Sequence, residues 1–262
     1  MERFLFTKLS MLIVIGLVLQ MHGYKGCLEK ERTALLEIKE LFLNSSVNID
    51  YVNSTFGSWV DDRVSNCCNW NQVECNTTTG RVINLSLFSI LDYSSLSLHP
   101  ILNFSMFQPF EELQSLDLSL NDFEGCVDSR ESLKQLKILD LGYNYFNSSI
   151  LSYLTRLTSL KTLILRYNNL EDFNTEQGLA NLRNLEFLDL SYNYFNSSIL
   201  SYLTRLTSLR TLKLEGNNLR DFNTKQGLAN LRNLEFLDLS YNGINGSTLQ
   251  ELGNIYYDFT SN

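Results

Sequence analysis

The chain of 262 residues has few of the residues that catalysis and flexible linkers need. Its only two histidines are His22 and His99, and neither belongs to a nucleophile–base pair or to a metal-ligand spacing. Only two prolines and 13 glycines occur, so no flexible linker divides the chain into separate domains. We therefore predict a protein that is not an enzyme and has no catalytic residue, no metal and no cofactor.

Positive charge and long apolar runs are also scarce. The 21 Lys and Arg against 29 Asp and Glu give a formal net charge of −8, which argues against nucleic acid or an anionic membrane as a partner. The longest apolar run, Leu9–Leu19, is too short for a span of about 20 residues. It lies between the basic residues Arg3 and Lys8 and the small residue Gly23. This pattern predicts a secretory signal peptide over residues 1–23, with an uncleaved anchor as the alternative, and no membrane span in the mature, secreted chain.

The pattern L-x-x-L-x-L-x-x-N recurs along most of the chain. Its closing asparagines follow one another at intervals of 23 to 25 residues, in the turns Leu113–Asn121, Leu136–Asn144, Leu160–Asn168, Leu185–Asn193, Leu209–Asn217 and Leu234–Asn242. A period of about 20–29 residues with this spacing is the leucine-rich-repeat signature. The alternating leucines predict one short parallel strand per turn, and the asparagine at the bend is expected to bond backbone groups of neighbouring turns. The predicted fold class is an α/β solenoid with its strands on a concave face.

Residues 193–241 repeat residues 144–192 with only six differences. These are Lys161/Arg210, Ile164/Lys213, Arg166/Glu215, Tyr167/Gly216, Glu171/Arg220 and Glu176/Lys225. All leucines and ladder asparagines are retained, so the changes are expected to face solvent. They have two interpretations: neutral drift on a solvated face, or divergence of a recognition surface. Because none of the exchanged residues is predicted to face the core, exchanging the first copy's 164, 166 and 167 with their counterparts should leave folding intact.

A hypothetical ligand-binding face follows from the outward positions of the strands. It comprises Ile164, Arg166, Tyr167, Phe187, Asp189, Tyr192, Lys213, Glu215, Phe236 and Asp238. Aromatic residues here, with Tyr143 and Tyr241, are either binding anchors or pack on neighbouring turns. Four aspartates share one outward position and are interpreted as a solvated row rather than an acid–base or calcium site, namely Asp117, Asp140, Asp189 and Asp238.

Eight N-x-S/T sequons predict N-glycosylation in a secreted chain. They are Asn44, Asn53, Asn76, Asn84, Asn103, Asn147, Asn196 and Asn245. The last three are spaced by 49 residues and are therefore expected on one flank in alternate turns, roughly 10 Å apart. Asn84 instead falls on the concave side of the first predicted strand.

The repeat is absent before residue 82, where four of the five cysteines lie. Leu28, Leu35, Ile38 and Phe42 have helical spacing and predict a helix over Glu29–Leu43, and Val82–Leu87 predicts the first strand. Of the three pairings of Cys27, Cys67, Cys68 and Cys75, direct bonding of the adjacent pair is unfavourable. Two pairings remain, and we favour Cys27–Cys67 with Cys68–Cys75, which closes one long and one short loop. Cys126 is predicted to fill an apolar site.

Three motifs carry a resemblance to a known family: G-C-L-x-x-E-R-x-A-L-L at Gly26–Leu36, W…C-C-x-W-x-x-V-x-C at Trp59–Cys75, and G-R-V-x-x-L-x-L at Gly80–Leu87. Together they resemble the amino-terminal cap of plant leucine-rich-repeat receptors. The F-E-E-L-Q-S-L-D-L-S segment and the N-x-F-x-S-S-I repeats resemble the receptor-like proteins. Gln72 departs from the resemblance, because many such caps have glycine there. The family's further repeats, carboxy-terminal cap and membrane helix are missing, which predicts a truncated product.

These observations predict a domain order. It runs as a signal peptide (1–23), a cap domain with the first strand (24–87), an irregular connection (88–110), six repeats (111–246) and an incomplete repeat or tail (247–262).

The resemblance implies a non-catalytic extracellular recognition module, at the plasma membrane in a full-length receptor-like protein. Such a module would bind a peptide, carbohydrate or protein ligand on the concave face and signal through a partner receptor kinase in defence or development. The alternatives are a soluble inhibitor of secreted cell-wall-degrading enzymes, which uses the same cap and repeats, and a truncated decoy or non-functional product.

Overall fold

A computed structural model describes most of the cap and repeats. The described residues are 27–46, 48–62, 64–91, 99–127, 133–172, 179, 181–220, 228 and 231–251. The predicted signal peptide, the pair Glu176/Lys225 and the end of the predicted tail lie outside them.

The cap begins with helix α1, Glu29–Ser45, which agrees with the predicted helix and buries Leu35, Ile38 and Phe42. A second helix, α2 (Ile49–Thr55), was not predicted. It begins at Asn48, whose side chain accepts the backbone N–H of Tyr51 at 3.1 Å. Aromatic rings fill the space behind the helices, with ring centroids 4.5 Å apart for Phe56 and Trp59 and 5.6 Å apart for Trp59 and Trp70.

Two disulfides hold the cap together, and the favoured pairing is confirmed. Cys27–Cys67 joins the start of α1 to a short 3₁₀ turn, with 5.7 Å between the Cα atoms. Cys68–Cys75 closes the short loop, with 5.4 Å between the Cα atoms. Cys126 belongs to neither bridge and packs half-buried against the core, as an apolar filler would.

Ten short strands follow one another in the described part of the chain. They are β1 Val73–Cys75, β2 Val82–Ser86, β3 Ile101–Asn103, β4 Ser115–Asp117, β5 Gly125–Val127, β6 Ile138–Asp140, β7 Thr162–Ile164, β8 Phe187–Asp189, β9 Thr211–Lys213 and β10 Phe236–Asp238. Eight of them form one sheet in the order β1-β2-β4-β6-β7-β8-β9-β10. All neighbours in it are parallel except β1 and β2, so the structure confirms the predicted solenoid. The strand predicted at Val82–Leu87 is observed as β2, but it is not the first, because the unpredicted β1 precedes it. β1 covers the amino-terminal edge of this sheet.

Leucines and asparagines stabilise the turns from inside. The central leucine of every repeat strand is buried, which removes it from water at a gain of about 1.5–3 kcal/mol each. The ladder asparagines are bonded as predicted. Asn168, for example, donates to the carbonyls of Leu141, Leu165 and Arg166 and accepts the N–H of Phe146. Each turn is thereby linked to the turn before it.

A second, smaller sheet, which the sequence did not predict, lies at the opposite edge of the turns. β3 pairs with β5 in a second, two-stranded sheet, so the connection expected to be irregular contains a strand and the 3₁₀ helix Phe104–Phe107. Isolated bridges continue this line at Asn147 with Asn169 and at Asn196 with Asn218. The described part of the repeats also contains three short helices, α3 Leu151–Leu154, α4 Ile199–Leu203 and α5 Gly246–Glu251.

Candidate ligand-binding face

The outward side chains of the eight-stranded sheet form aligned columns, and we call this surface the sheet face. One column runs through Thr162, Phe187, Thr211 and Phe236, and the next through Ile164, Asp189, Lys213 and Asp238. Arg166 and Glu215 follow the strands in a third column, and Tyr167, Tyr192 and Gly216 in a fourth. The structure therefore brings all ten predicted ligand-binding residues to one side of the sheet, where Asp189 is buried.

Tyrosine rings form a continuous stack along the fourth column. The ring centroids of Tyr143 and Tyr167 are 4.4 Å apart and those of Tyr167 and Tyr192 are 4.2 Å apart, with 11° between the ring planes in both pairs. The stack fits the interpretation that these rings pack on neighbouring turns. It also leaves Tyr167 39% exposed. The stack is thus a preformed aromatic strip on the surface.

Every residue of the fourth column has the left-handed backbone conformation. The φ values are 59° at Leu120, 53° at Tyr143, 54° at Tyr167, 53° at Tyr192, 63° at Gly216 and 52° at Tyr241. This conformation turns the chain between the strand and the ladder asparagine. It is unfavourable for side chains other than glycine and asparagine, so ring stacking and the asparagine ladder stabilise the bend.

The four aspartates of the second column are bonded to the bends that follow their strands. Each accepts the backbone N–H two residues further on, at 3.0 Å from Ser119 to Asp117, 2.8 Å from Gly142 to Asp140, 3.0 Å from Ser191 to Asp189 and 3.0 Å from Ser240 to Asp238. Asp189 is only 4% exposed, so it is a poor ligand contact. The predicted solvated row is therefore wrong at Asp189, whereas Asp117, Asp140 and Asp238 are half-buried. Each carboxylate caps the bend that follows its strand.

Burial has its largest electrostatic effect at Asp140. Desolvation raises the pKa of its carboxyl group to about 6, and the charges of Asp117 and Asp189 act in the same direction. The N–H of Gly142 and the charge of Arg166 oppose the rise.

Cationic groups on the sheet face lie over aromatic rings. The guanidinium carbon of Arg166 is 4.8 Å from the Tyr143 ring centroid, and the ammonium of Lys213 is 5.9 Å from that of Phe187. Where the second copy has Glu215 in place of Arg166, the Tyr192 hydroxyl donates to its carboxylate at 2.6 Å, which raises the pKa of Tyr192. The substitution between copies therefore reverses the local charge.

Tyr143 and Asp140, which the ten-residue binding face leaves out, also belong to this arrangement. Each lies 49 residues before its counterpart in the second copy, Tyr192 or Asp189.

Gly216 bears on one expectation. A Cβ atom at this position would lie 2.6 Å from the ring Cδ1 of Tyr192. Exchanging Tyr167 with Gly216 would therefore require the Tyr192 ring to shift, and the neutrality of the three-residue exchange stays a prediction. The other exchanged residues, Ile164, Arg166, Lys213 and Glu215, are half-buried or exposed, as expected.

Four sequon asparagines share one local geometry on the opposite edge. Asn103, Asn147, Asn196 and Asn245 each accept, through Oδ1, the backbone N–H of the residue two further on, at 2.8–3.0 Å. All four are exposed. Asn84, by contrast, lies half-buried on β2, and its amide donates to Glu74 at 3.3 Å. Glycosylation of the sequons remains a prediction.

The described residues contain no group of three or more His, Cys, Asp or Glu that could hold a metal ion. Within the same residues, no helix has both the length and the apolar character to cross a membrane.

Comparisons with known proteins agree with the fold. The model described as "Leucine rich repeat N-terminal domain" matches residues 28–76, "Leucine rich repeat" matches 134–195 and "Leucine Rich Repeat" matches 233–255. The chain is 40% identical over 177 residues to Receptor-like protein 14 of Arabidopsis thaliana, covering 64% of this chain and 18% of the relative. It is 42% identical over 193 residues to Receptor like protein 21 of the same plant, covering 70% and 19%. The chain thus spans less than a fifth of these relatives.

Among solved structures, the crystal structure of PEPR1-AtPEP1 superimposes with a TM-score of 0.61 at 21% identity, covering 90% of this chain and 32% of that one. A plant ice-binding protein gives a TM-score of 0.53 at 24% identity, covering 88% and 78%. At these identities the similarity shows the fold alone.

Cap and repeats together define a leucine-rich-repeat solenoid with an amino-terminal cap. Its relatives at about 40% identity are plant receptor-like proteins, to which the chain is similar over 64–70% of its own length.

Proposed function

We propose that this chain is the extracellular recognition part of a receptor-like protein and that it binds a peptide segment of its ligand along the sheet face, across the turns from Tyr143 to Asp238. The observation that carries the proposal is the distribution of the differences between the two copies. The leucine core and asparagine ladder are identical in both, whereas Ile164/Lys213 and Arg166/Glu215 change character on the surface beside the tyrosine stack.

The surface has the properties of a recognition site. Stacked tyrosines present a large, rigid contact area at low entropic cost, and exposed tyrosine and arginine are typical interface anchors. Cationic, anionic and apolar positions lie within the same few turns, so an extended peptide could be read one turn at a time. Two disulfides in the cap fit an oxidising, extracellular compartment. In a full-length protein, binding would be passed to a partner receptor kinase.

The experiment uses the secreted protein and a displayed library of random 12-residue peptides. Peptides selected on the wild type are measured against a variant that exchanges two pairs between copies, I164K/R166E/K213I/E215R. This exchange leaves Tyr167 and Gly216 in place and so avoids the contact with Tyr192. Binding should weaken at least about 10-fold, because a central contact contributes about 1–2 kcal/mol or more.

The control is E171R/R220E, a charge exchange at two exposed positions beyond the sheet. It should bind the selected peptides like the wild type. The proposal is wrong if the library yields no binder, or if binders tolerate both exchanges equally. The kinase step makes a separate prediction: a kinase-bearing membrane protein should co-purify with a full-length form after cross-linking at the cell surface, and its absence would contradict that step alone.

A further inference from the structure

Because 49 residues are duplicated, the same arrangement of positions occurs twice in the chain with different side chains. In the first arrangement Asp140, Tyr143 and Arg166 lie together, and in the second the equivalent positions are Asp189, Tyr192 and Glu215. The aspartate and the tyrosine are the same in both. Among these three positions, only the residue that follows the next strand differs, as Arg166 or Glu215.

In the first arrangement the chain supplies its own guanidinium group. Arg166 lies over the ring of Tyr143, 4.8 Å from its centroid, and its charge acts on Asp140. Gly142 gives the arginine room, because a Cβ atom there would be 3.3 Å from Arg166 Cγ. A planar cation stacked on a tyrosine beside carboxylates is thus already present in this fold.

In the second arrangement both the cation and the next ring are missing. Glu215 replaces the arginine, and Gly216 replaces the tyrosine that would continue the stack. The next ring of the column is Tyr241, 63% exposed and two turns from Tyr192. With strands about 4.8 Å apart, two turns span about 10 Å. The ring of Tyr192 leans over Gly216 into this interval, and no tyrosine of the next turn stacks on it there.

The position between Tyr192 and Tyr241 is acidic. Glu215 accepts the Tyr192 hydroxyl through Oε1, while no described residue donates to its second carboxylate oxygen. Asp238 lies on the neighbouring strand, half-buried. The hydroxyl of Ser191, in the turn before Glu215, is buried and has no hydrogen-bond partner among the described residues. The serines at the equivalent positions 119 and 240 do bond their own aspartates.

Lys213 is the cation that could neutralise this position from within the chain. It lies on β9 between Asp189 and Asp238, but its ammonium is directed to the ring of Phe187, at 5.9 Å. Phe187 belongs to the first column, on the side of Lys213 opposite to Glu215. Lys213 therefore forms no ion pair with the carboxylate of Glu215.

We propose that the surface formed by Tyr192, Glu215, Gly216, Asp238 and Tyr241, which we call the rung site, binds the guanidinium group of an arginine side chain in a peptide ligand. The ligand's arginine takes the place that Arg166 occupies in the first arrangement: it stacks on Tyr192 and donates to Glu215. The proposal rests on ligand binding at the sheet face and names the chemistry of the group bound there. The net charge of −8 also favours a cationic ligand.

The test is an NMR titration of the secreted protein with ¹³C-labelled tyrosine rings. The probe is N-acetylarginine amide, and the controls are N-acetylcitrulline amide, a neutral group of the same shape, and N-acetyllysine amide. Tyr192 and Tyr241 signals, assigned with Tyr→Phe variants, should shift saturably with the arginine probe. The apparent dissociation constants of the two controls should be at least about 10-fold weaker.

Two variants make the test specific. Glu215→Arg should abolish the shifts, because it supplies the guanidinium in the chain as Arg166 does and is compatible with folding in the first arrangement. Arg220→Glu, an exposed charge change beyond the sheet, should leave them unchanged. The inference is overturned if citrulline and arginine amides shift the rings equally, if the rings do not respond, or if Glu215→Arg binds like the wild type.

The same library selection separates this inference from the proposed function. Selected peptides that depend on the sheet face but show no arginine enrichment, together with a silent titration, would overturn the rung site and leave sheet-face recognition intact. Arginine-probe binding at Tyr192 without any peptide that depends on the sheet face would contradict the proposed function alone.

Discussion

Gly216 and the ring of Tyr192 form one packed unit, since a Cβ atom on the glycine would lie 2.6 Å from Cδ1 and 2.7 Å from Cε1 of the tyrosine. The ring leans over the glycine, and its hydroxyl reaches Glu215 at 2.6 Å. The loss of a side chain at 216 and the gain of a carboxylate at 215 are therefore structurally coupled. Together they end the tyrosine stack and create the acidic position beyond it.

This contact predicts a cost for the smallest possible side chain. Gly216→Ala should lower the free energy of unfolding by about 1–3 kcal/mol, through the clash with Tyr192 and the left-handed backbone. Denaturant unfolding measures the change. In a Tyr192→Ala background the same substitution should cost about 1 kcal/mol less. Gly246→Ala is the control, because nothing lies within 4 Å of a Cβ atom there; equal losses at 216 and 246 would refute the contact.

The asparagine ladder predicts a sharp difference between neighbouring residues. Asn168 is 4% exposed and makes one accepted and three donated hydrogen bonds, so Asn168→Ala leaves several buried backbone groups without partners. The expected loss is about 2–4 kcal/mol. Asn169 is exposed and donates only one long bond, at 3.4 Å to Tyr145. Asn169→Ala should lower the free energy of unfolding by less than about 1 kcal/mol. Thermal unfolding of the two variants measures both losses.

Asp140 predicts a pH dependence of stability. Its pKa is raised from 3.8 to about 6 in the folded chain, so the native state binds the proton more tightly than the unfolded state does between these values. The contribution of Asp140 to stability is therefore present below about pH 4 and is lost as pH rises through about 6.

Asp140→Asn removes this dependence and keeps an acceptor for the N–H of Gly142. At pH 7 the variant should be more stable than the wild type by about 1–2 kcal/mol, after allowance for partial solvent screening. Near pH 3.5 the difference should vanish. Glu40→Gln, exposed on α1, controls for the loss of one negative charge. If Asp140→Asn and Glu40→Gln change the free energy of unfolding by the same amount at every pH from 3.5 to 7, the burial of Asp140 has no energetic effect.

Gln72 predicts a stabilising substitution. It has a φ of 68°, the conformation that favours glycine, and its buried Oε1 has no hydrogen-bond partner among the described residues. Gln72→Gly should therefore raise the free energy of unfolding by about 0.5–1 kcal/mol. Gly57→Gln, at an exposed position without positive φ, is not expected to stabilise. Destabilisation by Gln72→Gly would show that the long side chain packs productively in the cap.

Local patterns in the sequence determined most of the fold. Alternating leucines fixed the strands and their inward face, because side chains on a strand change sides at every residue. The asparagine period fixed the ladder, and helical spacing fixed α1. The spacing of the cysteines pointed to the observed disulfides. The ten candidate binding residues reached one surface for the same reason, since residues at equivalent repeat positions must align in columns.

Only the tertiary structure decided how those columns interact. The burial of Asp189, the lean of Tyr192 over Gly216 and the placement of Arg166 over Tyr143 depend on contacts between turns about 25 residues apart. The pairing of β3 with β5 has the same origin, because their hydrogen bonds join segments with no common repeat pattern. A period shows which side of the sheet a residue occupies, but the side chain's direction on that side is set by packing against the neighbouring turn.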